Sequence, residues 1–373
     1  MKVNTISLNS VRLNTIALNH IGEIRSGGGA SKPSPIPQWI REHVVFYYDV
    51  KKQGATNETL KESAYLQDLS GKGRRMKLNN FLFNGMSGID GYKDMPFNQD
   101  KGIEFETIHD RYVRGKLSKS NGTGFGFYYV HNYNGNILHV NWHVEGIKEG
   151  NKVYVMQFNT QYDLKIELHN GDNHVAFDIT DSPSPNYRYI TVAADQPYST
   201  DITITQIPEY PGALVTDGVD DYGLVENLSS GVKMLFITVN PTRRTTTIEN
   251  SIFYDQRNKI GAKNSICIFD QSNTIAYYAL FDPTTGRTYI NGKFNETINT
   301  DELVNLKSVI TMATENVNVD NTNISNFFRG FSSWNYAKLA FYNSIAFDSI
   351  PTEADGFTEQ ELIDYVLTNI IGQ

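Results

Sequence analysis

The stretch Gly212-Ala-Leu-Val-Thr-Asp-Gly-Val-Asp-Asp-Tyr-Gly223 decides how the rest of the chain is read. Its aspartates shape a turn and start a strand, because short acidic side chains accept nearby backbone N–H groups. Downstream, β-type runs are expected at 234–239, 251–254, 265–269, 275–281, 287–290, 309–314 and 336–347, with a hairpin turn at Asn291-Gly292. The chain then closes on a helix over 357–371. Thr358 is its cap, Glu361 the partner in a capping box, and Leu362, Tyr365, Val366 and Asn369 follow helical spacing.

Upstream, Val44-Val-Phe-Tyr-Tyr-Asp49 reads as a strand, Asp68-Leu-Ser-Gly-Lys-Gly73 as a turn and 76–83 as another strand. Residues 57–66 suggest one or two helical turns capped by Asn57, and the glycines of 84–92 break regular structure. Between 96 and 207 seven strands are expected, most of them separated by turns at Asn121-Gly, Asn134-Gly, Glu149-Gly-Asn and Asn170-Gly-Asp. That number suits an immunoglobulin-like β-sandwich, although no Cys-Trp-Cys core pattern is present.

The first 25 residues repeat every five: Ile6-Ser-Leu-Asn-Ser, Val11-Arg-Leu-Asn-Thr, Ile16-Ala-Leu-Asn-His. A period of five is neither a strand's nor a helix's, and it fits short arcs of β-structure turning at Asn. Three such units cannot close a core alone, so Ile6, Leu8, Val11, Leu13, Ile16 and Leu18 are expected to dock on another protein. The Gly/Pro segment 26–37 then reads as a linker, and the chain is expected to turn to β-structure from Gln38.

Composition narrows the function classes. A net charge of -8 argues against a nucleic-acid groove, which needs clustered Lys and Arg; the basic run 72–77 reads as a solvated turn. Cys267, the single cysteine, sits in an apolar run and reads as core filling. No apolar stretch is long enough to span a bilayer and no signal peptide stands at Met1, so neither membrane insertion nor secretion by the general route is expected.

Tyr48-Asp49, Asp68-Leu-Ser-Gly-Lys-Gly73 and Gly212 to Tyr222 together resemble the motifs of laminin-G-like, concanavalin-type jelly rolls, as does the closing pattern 331–344 followed by Phe357-Thr-Glu-Gln-Glu-Leu. The match is split. The resemblance therefore implies an all-β fold: a laminin-G-like jelly-roll sandwich with halves 38–95 and 208–373, split by an inserted immunoglobulin-like β-sandwich over 96–207. An N-terminal β-repeat anchoring arm and linker (1–37) precede it and a short C-terminal helix ends it. The whole chain also resembles virion proteins of tailed phages infecting gut Bacteroidetes, held to be head or tail fibres and decorations. That implies a structural, non-enzymatic protein located in the virion and assembled in the host cytoplasm. It would contact capsid or tail proteins through 1–25, associate as a homo-oligomer and touch a bacterial surface glycan. A host-glycan-binding adhesin is the rival, and a polysaccharide-degrading enzyme a distant third.

The chemistry-bearing residues each have a plainer reading. Asp217, Asp220 and Asp221 offer oxygens to calcium, but no spacing supplies the further ligands that calcium needs, and the turn-shaping role is favoured. His139 and His143 share a strand face, with Trp142 on the other; as a zinc site they lack two ligands and read as a surface pair. No Glu-Xaa-Asp-Xaa-Xaa-Glu pair, Gly-Xaa-Ser-Xaa-Gly elbow or phosphate loop is present, so no catalytic residue, metal ligand or cofactor is assigned. Aromatic rings that stack on sugars remain: Tyr129 and Tyr133 near an Asn-Gly loop, and Trp334 with Tyr336 near the C-terminus.

Overall fold

The computed structural model describes residues 34–92, 97–98, 105–109, 112–116, 125–129, 137–158, 164–178, 189–194, 201–228, 231–241, 251–255, 265–268, 286–295, 303, 305–315, 324–329 and 336–372. Their strands pair antiparallel throughout, and the chain is all-β with a few short helices. It divides into two compact units, one of residues 1–83, 87–89 and 212–373, the other of 84–86 and 90–211.

In the first unit an eight-stranded and a six-stranded sheet share a core built around Phe46, Tyr48, Leu235, Ile237, Phe327 and Phe341. The other face of the eight-stranded sheet is covered too. Tyr47, Met234, Phe236, Ile345 and Phe347 form one cluster with Ile36, Trp39 and Ile40 from early in the chain and Leu362, Ile363, Val366 and Ile370 from its C-terminal helix. Strands buried on both faces need apolar residues at nearly every position. That is why Val44–Asp49 and Met234–Pro241 read as continuous apolar runs and do not alternate.

Leu339–Phe347 is the central strand, and it changes partner along one edge. Residues 343–347 pair with Val44–Asp49, whereas Phe341 and Ala340 pair with Leu214 and Val215. Tyr342 lies between the two partners, at a register shift against Met234–Pro241. The extra residue reverses the alternation: Leu339 and Phe341 face the inter-sheet core before it, and Ala346 does so after it.

Three local expectations are corrected. Ile36–His43 is a helix where linker and then β-structure were expected. Pro37 in its first turn has a pre-set φ that suits a helix start, and Ile36, Trp39 and Ile40 recur on one buried face. The helix Asn57–Ser63 is capped by Thr56, which exchanges hydrogen bonds with Thr59; Asn57 is buried, and its Oδ1 accepts Ile89 N–H at 2.7 Å. The strand expected over 76–83 ends at Asn79, because Asn80 turns left-handed at φ 65° and leads Phe81 and Phe83 into the core. The C-terminal helix Glu359–Val366 carries the Thr358/Glu361 capping box and runs on into a π-helical turn over Leu367–Ile371.

The second unit holds two five-stranded antiparallel sheets in a β-sandwich-like arrangement. One runs Leu164–Leu168, Val153–Phe158, Tyr189–Ala194, Phe125–Tyr129, Phe97–Asn98; the other Gly171–Asp178, Ile137–Glu145, Asp201–Gln206, Tyr112–Lys116, Phe105–His109. Alternate residues such as Trp142 with Val144, Val153 with Val155 and Ile202 with Ile204 are buried, the pattern of strands with one covered face.

Candidate recognition surface

The signature stretch ends at a built turn. Asp217 Oδ1 accepts Val219 N–H at 2.7 Å, Asp221 Oδ2 accepts Asp217 N–H at 2.9 Å, and Asp221 Oδ1 accepts the Ser87 hydroxyl at 3.0 Å. Burial pushes the Asp221 carboxyl up to about 7; the Asp217 N–H pulls it down, and the neighbouring Asp217 charge adds to the rise. Ligand oxygens of Asp217, Asp220 and Asp221 lie within 4.8 Å of one another. Calcium takes about six to eight oxygens, and here hydrogen-bond donors of the turn already occupy three of the carboxylate oxygens. The geometry matches the turn-shaping role.

Past the turn, Tyr222–Glu226 enters the six-stranded sheet between Met76–Asn79 and Ile324–Phe327. Gly223 and Val225 face inward, and Tyr222 and Leu224 face away from the core. Directly paired residues share a face, so Tyr65, Lys77, Leu224, Asn326 and Asp255 form one row across five strands on the side away from Phe327; Asn326 and Asp255 are buried, and Tyr65, Lys77 and Leu224 are the accessible part of it. The Arg75 guanidinium lies 4.4 Å from the Tyr65 ring centroid.

At the end of the sheet Arg329 stacks on Tyr222, its Cζ 3.5 Å from the ring centroid, and donates from Nη2 to Asn326 Oδ1 at 3.2 Å. Its Nε is buried, with no hydrogen-bond partner among the described residues. Tyr336, half-buried, is bridged by its backbone to Arg329. The half-buried Tyr65 and Tyr222 rings with the Arg75 and Arg329 guanidinium groups stacked on them suit stacking against a polar ligand.

Of the other residues singled out from the sequence, Ile6, Leu8, Val11, Leu13, Ile16, Leu18, Tyr133 and Trp334 lie outside the described residues. Tyr129 ends the strand Phe125–Tyr129, and its side chain is likewise outside that set. In the second unit Trp142 is buried, His139 is exposed, and His143 contacts Asp172 at 2.6 Å through Nδ1 and Glu145 at 3.4 Å through Nε2. Those two carboxylates, Asp172 first, hold the imidazole above the ordinary histidine range. Sequence reasoning missed Arg329 altogether. Its partner Tyr222 is far away in the chain, and no periodicity links them.

No protein-family model matches the chain, and neither do the curated proteins or the solved structures.

Proposed function

We propose that this chain is a structural virion protein, a head or tail fibre or decoration of a tailed phage, that anchors through residues 1–25 and displays its β-body outward. The observation that carries the reading is the five-residue repeat with aliphatic residues in register at Ile6, Leu8, Val11, Leu13, Ile16 and Leu18, set ahead of a Gly/Pro segment and a β-rich body. Repeats too few to close their own core bury their apolar side on a partner. Fibres of this kind associate as symmetric homo-oligomers. The body is read as a laminin-G-like jelly roll interrupted by an immunoglobulin-like sandwich. Supporting this, Leu214–Val215 and Val44–Asp49, which carry the two parts of the split resemblance, both pair with Leu339–Phe347.

The test changes Leu8, Leu13 and Leu18 to Asp in the full chain and follows incorporation into particles. Loss of incorporation with an unchanged melting temperature is the expected result; particles that still carry the variant would exclude the anchor. A truncation should begin no later than Ser34, because Ile36, Trp39 and Ile40 belong to the core.

A second reading, a host-glycan-binding adhesin, draws on the Tyr222–Arg329 pair and the accessible Tyr65, Lys77 and Leu224 beside it. Binding of surface polysaccharide that survives the triple Asp change and falls with Arg329→Ala would favour it.

A further inference from the structure

Five Asn-Gly pairs stand in the chain, beginning at Asn84, Asn121, Asn134, Asn170 and Asn291; those at Asn121 and Asn134 lie outside the described residues. An Asn-Gly pair can close on itself. The glycine nitrogen attacks the asparagine side-chain carbon, and glycine has no Cβ to obstruct the approach. The attack needs a side chain free to swing over the backbone and a glycine N–H that no acceptor holds. Asn84, Asn170 and Asn291 are all exposed, so exposure does not separate them.

Hydrogen bonding does separate them. Asn170 is held at both ends of its amide: Oδ1 accepts Ile147 N–H at 2.9 Å, and Nδ2 donates to the Ile147 carbonyl at 2.7 Å. Asn291 is tied to the neighbouring strand Ser308–Ala313, its Oδ1 accepting Val309 N–H at 2.8 Å and its own N–H donating to the Val309 carbonyl at 2.9 Å. The Asn84 side chain makes no hydrogen bond among the described residues. Gly85 accepts Tyr92 N–H at 2.8 Å with its carbonyl, but its own N–H finds no acceptor among them, although the residue is buried. A buried donor left without an acceptor is costly.

We propose that Asn84-Gly85 is a self-modification site, at which the chain closes a succinimide ring without enzyme or cofactor. Gly85 N gives its proton to hydroxide and bonds to Asn84 Cγ; the Cγ–Nδ2 bond breaks, and Nδ2 takes up a proton from water and leaves as ammonia. The ring nitrogen carries no hydrogen, so closure also removes the buried donor that has no acceptor. Water then opens the ring at either carbonyl, which leaves aspartate or isoaspartate at this position and adds a negative charge to the chain. The proposal depends on neither the anchoring nor the adhesin reading.

The full chain is aged in mildly alkaline buffer, folded and in urea, and peptide mass mapping follows the loss of ammonia and the appearance of aspartate or isoaspartate at each pair. In the folded chain Asn84 is expected to convert at least about tenfold faster than Asn170 and Asn291, because a tethered side chain is held out of the attack geometry. In urea the tethers are gone and the rates should converge. Asn84→Gln, whose longer side chain closes a larger and slower-forming ring, should abolish conversion in its peptide and leave the other two pairs unaltered. Conversion at Asn84 no faster than at the tethered pairs, a lead for Asn84 that persists undiminished in urea, or ammonia loss that survives Asn84→Gln would each overturn the proposal.

Discussion

Ser87 donates its hydroxyl to Asp221 Oδ1 at 3.0 Å across 134 residues of sequence, and so fastens the turn that opens the Tyr222–Glu226 strand to the loop before Gly88–Ile89. Ser87 Oγ in turn accepts Leu82 N–H at 2.9 Å. The carboxyl at the centre of this link is buried and titrates near 7, against an ordinary aspartate value of about 3.9. A raised carboxyl binds its proton more tightly in the folded than in the unfolded state. Its contribution to stability is therefore complete below pH ~4 and declines as pH rises toward 7. The full shift corresponds to at most about 4 kcal/mol. Asp221→Asn keeps the shape and removes the ionisation. Urea unfolding from pH 4 to 8 should show the wild type losing stability relative to the variant as pH rises. A constant difference between the two would show that Asp221 titrates normally.

Gly223 has no room for a side chain. A Cβ there would lie 2.6 Å from Met76 Sδ, 2.9 Å from its Cγ and 3.2 Å from Phe327 Cβ. Gly223→Ala is expected to cost about 1–3 kcal/mol through overpacking, with methionine's flexibility setting the lower end. The clash should be specific: Met76→Ala should cost less in the Gly223→Ala background than alone, and additive effects in the double variant would place the strain elsewhere.

What was legible in the sequence was what local chemistry controls. The Thr358/Glu361 box, the Asn291-Gly292 hairpin between Arg287–Ile290 and Lys293–Phe294, and the strand Val44–Asp49 are all set by residues adjacent in sequence. The sequence places a turn at Asn170-Gly-Asp, over the start of the strand Gly171–Asp178, and assigns nothing to the rest of that strand. Eight cross-strand pairs with Ile137–Glu145 hold it extended, and the polar side chains take partners such as His143. Ile36–His43 was missed because Pro35 and Pro37 suggested a spacer, and only the opposing face of the sheet explains why Trp39 and Ile40 favour a helix. At the candidate surface the Asp217 to Asp221 turn could be foreseen. The Tyr222–Arg329 stack could not, since strand pairing alone brings those residues together.

The C-terminal helix is clamped to the sheet at one end. Arg287 donates from Nε to Glu359 Oε1 at 3.1 Å and from Nη2 to Oε2 at 2.7 Å, and the Tyr289 hydroxyl donates to Oε1 at 2.7 Å. Bidentate, charge-assisted contacts are the stronger kind, and Glu359 is largely shielded from solvent. Glu359→Ala is expected to destabilise by about 1.5–3 kcal/mol. Arg287→Lys should recover only part of the wild-type stability, because an ammonium cannot make the two-pronged contact. A melting temperature unchanged by Glu359→Ala would show that Leu362, Ile363 and Val366 hold the helix without the clamp.

His143 provides a test confined to the second unit. Its Nδ1 lies 2.6 Å from Asp172 and its Nε2 3.4 Å from Glu145, so both ring nitrogens face carboxylates and the protonated imidazole is favoured. The Asp172 hydrogen bond is the larger cause of the raised titration. The sign follows directly. The link stabilises the fold below the unfolded histidine value of about 6.5 and is lost as pH rises through the higher folded value. In a histidine-labelled chain followed by NMR, Asp172→Asn should lower the His143 midpoint more than Glu145→Gln does, because the stronger bond is removed. If the His143 midpoint ignores Asp172→Asn, the pairing of Gly171–Asp178 against Ile137–Glu145 does not hold these two side chains together in solution.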